Sequence, residues 1–202
     1  QIQIEPGARK LLAGECERVG IRRPLVVTDA GVKAAGVLDS VLDALPATLR
    51  AACAVFDATP SNPTEAAVRA ATALFTAHGC DGLVAVGGGS SIDCAKGVAI
   101  AARHAGTLAT YATIEGGSAL ITADAVPLIA VPTTAGTGSE VARGAIVIVD
   151  DGRKLGFHSW HIVPRTAICD PELTYGLPPK LTAATGMDAV AHCVETFLSK
   201  AV

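Results

Sequence analysis

Short apolar runs alternate with longer alanine-rich segments along most of the chain. The short runs are rich in Val, Ile and Leu without polar alternation, as in strands that are buried on both faces. Strands are predicted at 24–29, 52–56, 82–86, 127–132, 145–149 and 166–169, and helices at 32–45, 65–78, 92–103 and 181–202. This order predicts an α/β fold, a Rossmann-like and mostly parallel sheet with helices on both faces.

The strand signal stops near Pro178, and only a helical pattern follows. We therefore predict an α/β domain at residues 1–178 and the first helix of an all-α second domain at 179–202. Thr64 is the expected N-cap of the helix at 65–78. The segment 111–124 is expected to be a surface excursion, and Asp150-Asp151-Gly152 a tight polar turn.

Composition limits the classes of partner. Half of the 202 residues are hydrophobic, which is enough for a sizeable core, and the net charge is −3. An acidic balance argues against nucleic acid as a partner, because phosphate binding needs a basic surface. The apolar runs are too short for a transmembrane helix, and the six cysteines are scattered without a C-x-x-C motif. We expect a cytoplasmic protein with reduced thiols that binds neither nucleic acid nor membrane.

Two loops carry candidate chemistry. Gly87-Gly88-Gly89-Ser90 lies between a predicted strand and helix, where glycines allow close approach and free N–H groups bind an anion such as a pyrophosphate. The alternative is a tight turn that binds nothing. The run from Thr133 to Glu140 follows another strand and is rich in hydroxyls and glycines. Both loops would lie on one edge of the sheet, where α/β folds bind ligands, and together they favour a nucleotide site.

Asp29 ends the first clear strand. An acidic residue there can accept hydrogen bonds from ribose hydroxyls and would repel a 2′-phosphate, so it predicts NAD rather than NADP. The alternative is a simple helix N-cap. Asp188 and His192 lie at i and i+4 on a predicted helix, which presents two ligands to a divalent metal. Two ligands do not close a metal site, so either further ligands lie outside this chain or the pair is structural.

Taken together, these blocks resemble the iron-containing (group III) alcohol dehydrogenase family. The matching positions are Thr28-Asp29, Asn62-Pro63-Thr64, Gly87 to Asp93 with Ala95-Lys96, Pro132 to Glu140, Lys154, Asp170 to Leu173, Thr185 to Ala189, His192 and Glu195. The resemblance implies a dinucleotide-binding domain at 1–178, followed by the all-helical domain of the dehydroquinate synthase-like architecture. The active site would lie in the cleft between the two.

The resemblance also implies a role for each site residue. Gly87, Gly88, Gly89 and Ser90 would bind the pyrophosphate, and Lys154 would contact the nicotinamide ribose. The other cofactor-binding positions would be Asp29, Asn62, Asp93, Thr133, Thr134, Thr137, Ser139 and Leu177. Asp188 and His192 would be the catalytic and metal-binding residues. The implied cofactors are NAD and Fe²⁺, with Zn²⁺ as the alternative, and the implied partners are a small alcohol or aldehyde and a second copy in a homodimer.

One departure is large, because the family takes two further metal-binding histidines from its helical domain and this chain has none at those places. His158 and His161 could approach the cleft, but neither is favoured as a ligand. We therefore expect a partial protein that belongs to an enzyme transferring hydride between an alcohol, aldehyde or ketone and NAD(H). The alternatives are a glycerol dehydrogenase-like or dehydroquinate synthase-like enzyme, or a nucleotide-binding fragment without activity.

Overall fold

The structure is a computed structural model that describes residues 1–200. Six strands form one parallel sheet, in the spatial order β1-β8-β5-β4-β2-β3. They are β1 (Ile2–Ile4), β2 (Pro24–Val27), β3 (Ala54–Phe56), β4 (Gly82–Gly87), β5 (Leu128–Pro132) and β8 (Thr166–Cys169). A separate antiparallel hairpin consists of β6 (Gly144–Ile148) and β7 (Lys154–His158).

Helices cover both faces of the parallel sheet, as predicted. They are α1 (Leu12–Val19), α2 (Ala30–Ala34), α3 (Val37–Leu42), α4 (Ala47–Ala51), α5 (Glu65–Ala77), α6 (Gly89–Ala101) and α7 (Pro179–Leu198). Alternate residues of β4 enter opposite cores: Leu83 packs with α5 and α6, whereas Val84 packs with α1 and α3. A strand with a core on each side needs apolar residues at every position, which explains its continuous hydrophobic run.

The helix α5 begins where the sequence predicts. Thr64 is in an extended conformation, and its hydroxyl accepts a hydrogen bond from the Ala67 N–H at 3.2 Å. This bond satisfies one of the N–H groups that the first turn leaves free. Val68, Ala71 and Phe75 lie on the buried face of the helix, at the spacing of an amphipathic helix.

Two of the predicted elements are wrong in detail. The predicted helix at 32–45 is two short helices, α2 and α3, which are separated by Gly36 at a φ of 72°. That left-handed conformation suits glycine and ends a right-handed helix. The additional helix α4 follows Pro46, which is its N-cap residue. The predicted strand at 145–149 does not join the parallel sheet, because the turn at Asp150–Gly152 returns the chain into β7 instead.

Three further segments also differ from the prediction. The edge strand β1 was not predicted, and it pairs with β8. The segment 111–124 contains short 3-10 turns rather than only a surface excursion, since Tyr111 and Ile121 are buried in the core. The helix α7 begins two residues before the predicted start, and Ala201 and Val202 lie outside the described residues.

None of the side chains of α7 is buried, and several large apolar ones are more than half exposed: Met187, Val190, Val194, Phe197 and Leu198. Within residues 1–200, no helix is long and apolar enough to cross a membrane. All six cysteines are free thiols.

Asp170, which follows β8, joins the end of the sheet to the N-terminal segment. Its carboxylate accepts hydrogen bonds from the Gly7 and Glu172 N–H groups and from the N–H and guanidinium of Arg9, and the side chain is 1% exposed. Burial alone would raise the pKa of Asp170, but these hydrogen bonds outweigh it and lower the pKa below the ordinary value of 3.8.

Replacing Asp170 by asparagine is expected to lower the free energy of unfolding by about 2–3 kcal/mol near neutral pH, since hydrogen bonds to an ionised group are lost. Because the folded-state pKa is depressed, this stabilisation is present above pH 3.8 and is lost as the pH falls below it. Urea denaturation of both proteins at several pH values measures the effect. A difference that stays constant down to pH 2 would contradict it.

Candidate cofactor and metal site

The two candidate loops meet at the carboxyl ends of β4 and β5. Gly87 pairs with Pro132 across the strands, and the Thr133 N–H donates to the Gly87 carbonyl at 3.1 Å. A Cβ atom on Gly89 would lie 2.8 Å from the Thr137 methyl carbon. The glycines are therefore required for the two loops to pack together, as well as for access to a ligand.

The start of α6 faces this junction without a side-chain cap. Its N-cap residue is Gly88, which offers no side-chain acceptor, so the first-turn N–H groups are left for a ligand. The 13-residue helix adds the positive end of its dipole there. The Ser90 hydroxyl donates to the Ser61 carbonyl at 2.5 Å and thereby fixes the neighbouring loop. This arrangement suits a phosphate or pyrophosphate group.

A pocket of about 560 Å³ opens beside the two loops. Nine of the predicted cofactor-binding and metal-binding residues line it: Asn62, Gly89, Ser90, Asp93, Thr137, Ser139, Lys154, Asp188 and His192. Within the pocket lining, Lys154 donates to the Asn62 side-chain oxygen at 3.2 Å. The structure thus gathers residues from five separate stretches of sequence around one space.

The other predicted residues lie behind or beside this pocket. Gly87, Gly88 and Thr134 belong to the two packed loops, and Thr133 is buried beneath them. Leu177 is half-buried just before α7, and it is not among the residues that line the pocket in the described part of the chain.

Asp29 is the N-cap of α2, and its Oδ1 accepts from the Val32 N–H at 2.9 Å. The other oxygen, Oδ2, accepts from the Ser91 hydroxyl of α6 at 3.1 Å. Each carboxylate oxygen can accept more than one hydrogen bond, so the cap does not exhaust the side chain. The capping role is therefore realised and remains compatible with binding a ribose.

A buried lysine holds the second loop in place. Lys96 is fully buried on α6, and its ammonium donates to the carbonyls of Ser139, Ala142 and Gly144 at 2.7, 2.9 and 2.7 Å. It also reaches the Ser139 hydroxyl at 3.1 Å. Burial lowers the pKa of Lys96 to about 8, which leaves the ammonium mostly protonated at neutral pH.

Asp93, one turn before Lys96 on α6, also holds the second loop in place. Its Oδ1 accepts from the Ser139 hydroxyl at 2.6 Å, and its Oδ2 accepts from the Ile146 N–H at 3.0 Å. Burial raises the pKa of Asp93, against the lowering effect of these hydrogen bonds and of the Lys96 charge. Both carboxylate oxygens are thus engaged in joining α6 to the loop and to β6.

Asp188 and His192 lie on the pocket side of α7, with the imidazole Nε2 3.8 Å from Asp188 Oδ1. The other nitrogen, Nδ1, lies 3.3 Å from the Gly136 carbonyl. A carbonyl oxygen accepts and cannot donate, so this contact requires the proton on Nδ1 and leaves Nε2, on the side of Asp188, as the nitrogen available to a metal.

This arrangement fits a metal ion. A metal-binding histidine commonly donates its other N–H to a carbonyl in this way. Both Asp188 Oδ1 and His192 Nε2 can reach one divalent ion at the usual ligand distances of about 2.0–2.2 Å. Among residues 1–200, no group of three or more His, Cys, Asp or Glu side chains is placed to hold a metal. The described residues therefore offer two ligands.

A glycine fixes α7 against the second loop. A Cβ atom on Gly136 would lie 2.3 Å from the Thr185 carbonyl oxygen, so only glycine permits this contact. At this point Asp188 and His192, the metal-ligand pair, are held against the loop from Thr133 to Glu140, which we call the threonine loop.

The sequence analysis missed part of what the hairpin supplies to the pocket. Gly144 and Ile146 were not predicted to line it, and β7 itself was not predicted, although Lys154 and His158 were expected at or near the cleft. The signal was present in residues 154–158, where buried Leu155 and Phe157 alternate with residues on the opposite face. Together with the polar turn before it, this period of two indicates a hairpin strand.

The profile of iron-containing alcohol dehydrogenases matches residues 1–171. The chain belongs to this family. It is 70% identical over 200 residues to a 4-hydroxybutyrate dehydrogenase of Cupriavidus necator, covering 99% of this chain and 52% of that relative. It is 42% identical to a 1,3-propanediol dehydrogenase of Klebsiella pneumoniae, over 96% of this chain and 50% of that protein.

A solved structure of another enzyme has the same fold. The sulfoacetaldehyde reductase of Bifidobacterium kashiwanohense, solved in complex with NAD⁺, superposes with a TM-score of 0.89 at 33% identity. The match covers 99% of this chain and 52% of the reductase. The chain thus spans about half the length of the relatives that it matches.

Proposed function

We propose that this chain forms the cofactor half, and part of the metal site, of an NAD-dependent, metal-dependent alcohol dehydrogenase. The reaction is hydride transfer between an alcohol and NAD⁺, or the reverse reduction of an aldehyde or ketone. The observation that carries the proposal is that one pocket is lined by residues of the loop Gly87–Ser90 (the glycine loop), of the threonine loop and of the Asp188–His192 pair. Cofactor and metal ligands are thereby near enough to act on one substrate.

In this proposal residues 1–178 are the dinucleotide-binding domain and 179–202 begin an all-helical domain. The first-turn N–H groups of α6, with Gly87 to Ser90, bind the pyrophosphate. Lys154 and Asn62 contact the nicotinamide ribose, and Asp29 the adenosine ribose. Thr133, Thr134, Thr137 and Leu177 border the remainder of the cofactor, and Asp93 and Ser139 hold the threonine loop in its binding conformation.

Asp188 and His192 would hold the metal, with Fe²⁺ proposed and Zn²⁺ as the alternative, since carboxylate and imidazole suit both. A bound metal supplies a Lewis acid that lowers the pKa of the substrate hydroxyl. Asp188 contributes a negative charge, and His192 contributes a neutral imidazole that the Gly136 carbonyl orients. The two loops would hold the nicotinamide beside this pair, so that its C4 would face the alcohol carbon that gives up hydride.

The proposed substrates are small primary alcohols that carry a second polar group. Support comes from the names of the relatives, one a 4-hydroxybutyrate dehydrogenase and the other a 1,3-propanediol dehydrogenase. We further propose a cytoplasmic homodimer.

The experiment that tests this function has two parts, both on the full-length protein. The first follows NADH formation from 4-hydroxybutyrate, 1,3-propanediol and 1-butanol with Fe²⁺ or Zn²⁺ present. NADH formation from at least one of these alcohols is expected. A protein that binds NADH but forms none from any alcohol would instead favour a dehydroquinate synthase-like enzyme or a binding module.

The second part tests the choice of cofactor. NADH is expected to bind at least about tenfold more tightly than NADPH, because the Asp29 carboxylate repels a 2′-phosphate. Asp29→Asn keeps an effective N-cap on α2 and removes only the charge, so NADPH affinity should rise without loss of stability. Nicotinamide fluorescence measures both affinities. Equal affinities of the unmodified protein for NADH and NADPH would contradict the discriminating role proposed for Asp29.

A further inference from the structure

The outward face of the hairpin forms one wall of the pocket. Along β7, Leu155 and Phe157 point into the core, while Lys154 and His158 are exposed and line the pocket. In the strand opposite, Gly144 and Ile146 line the same pocket. This wall therefore presents two basic side chains, one near each end of β7.

The His158 ring lies on a surface made of two glycines. Gly144 is its partner across the hairpin, and a Cβ atom there would lie 3.1 Å from the ring atoms Cδ2 and Nε2. A Cβ atom on Gly156 would lie 3.1 Å from Cε1. The missing side chains leave room for the ring to lie close to the backbone, which limits its rotation.

A hydrogen-bonded chain fixes the other side of the ring. His158 Nδ1 lies 2.8 Å from the Thr113 hydroxyl oxygen, which accepts from the Ser118 hydroxyl at 3.0 Å. A hydroxyl that accepts from Ser118 can still donate its own proton to Nδ1, and we assign this tautomer to His158. The histidine proton then lies on Nε2, which has no hydrogen-bond partner within residues 1–200.

The second basic side chain of this wall is already engaged. Lys154 donates to Asn62, and it lies four residues from His158 along β7, which is about 13 Å in an extended strand. Asp188 and His192 line the same pocket from α7. His158 and the Asp188–His192 pair therefore line one pocket, in which a substrate can contact both.

We infer that His158 recognises the carboxylate at the far end of an ω-hydroxy acid substrate through its Nε2–H. The inference rests on the proposed function and adds a specificity-determining residue to it. A carboxylate accepts a stronger hydrogen bond from an N–H donor than a hydroxyl does. His158 thus selects a hydroxy acid over an unsubstituted alcohol of the same length.

The test compares 4-hydroxybutyrate with 1-butanol, which has the same four carbons without the carboxylate. In the full-length protein, His158→Ala is expected to lower kcat/KM for 4-hydroxybutyrate about 10- to 100-fold, mainly through KM. The value for 1-butanol should change less than about twofold. His158→Gln keeps a side-chain N–H donor and should restore part of the loss. His161→Ala is the control, because that side chain is also exposed and does not line the pocket.

The ratio of kcat/KM for 4-hydroxybutyrate to kcat/KM for 1-butanol decides the outcome. An equal loss for both would mean that His158 supports the fold or the cofactor, and would overturn its role in recognition. An unchanged ratio, with normal activity on both, would overturn it as well. If the unmodified protein forms NADH from 1,3-propanediol but not from 4-hydroxybutyrate, only the role of His158 fails; if it forms none from any of the three alcohols, the proposed function fails first.

Discussion

Replacing His192 by alanine in the full-length protein is expected to reduce NAD-linked alcohol oxidation at least about 10³-fold while leaving NADH affinity within about twofold. The loss corresponds to about 4 kcal/mol of transition-state stabilisation, which is in the range that a metal ion supplies to a developing alkoxide. NADH affinity is spared because the glycine loop and the start of α6 do not depend on this imidazole. Steady-state kinetics, metal analysis and nicotinamide fluorescence measure the three quantities.

A matched control separates ligand loss from the loss of any histidine. His78 is exposed at the end of α5 and does not line the pocket, and His78→Ala should retain metal and activity. Asp188→Asn removes the charge of the other ligand with little change of shape and should reproduce the loss of metal. If His192→Ala weakens NADH binding as strongly as it reduces turnover, the division between cofactor loops and metal pair is wrong.

The second large effect is on stability. Lys96→Met is expected to lower the free energy of unfolding by about 3–5 kcal/mol, because the buried carbonyls of Ser139, Ala142 and Gly144 lose their donor and Asp93 loses a nearby positive charge. Methionine has a similar length and preserves most of the packing. Chemical denaturation, with the slope of the transition compared between variants, measures the loss.

Two variants test whether the loss comes from this network. Lys10 is exposed, and Lys10→Met should change the free energy of unfolding by less than about 0.5 kcal/mol. In a cycle with Asp93→Asn, the double variant should lose less than the sum of the two single variants, because the two charges compensate each other. Strict additivity would mean that Lys96 and Asp93 act independently.

Much of the fold was readable from local sequence. Strands β2, β4 and β5 are continuous apolar runs, and α5 has both an N-cap and an apolar face, so each is encoded within its own few residues. The failures share a different cause. The three residues of β1 become a strand only by pairing with β8, which lies more than 160 residues away. A segment this short carries no period of its own, and its partner decides its structure.

The candidate site was predictable to the extent that its chemistry lies in compact motifs. The glycine loop, the threonine loop and the Asp188–His192 spacing were each visible, and the structure brings members of all three to one pocket. The supporting role of Lys96 was not visible, because its acceptors are backbone carbonyls more than 40 residues away. His158 was seen as a histidine near the cleft, but its orientation depends on Thr113 and on two glycines of the hairpin.

Gly136 lies in the loop between Thr134 and Thr137, whose side chains contact the glycine loop, and its carbonyl faces the His192 imidazole. One short stretch of backbone is thus shared by the nucleotide cradle and a metal ligand. A cofactor that steadies this stretch also steadies the imidazole, so we expect the two binding equilibria to be linked, by no more than the roughly twofold change in NADH affinity expected for His192→Ala. Thermodynamic reciprocity then requires that NADH raise the affinity for the metal by the same factor by which the metal raises the affinity for NADH.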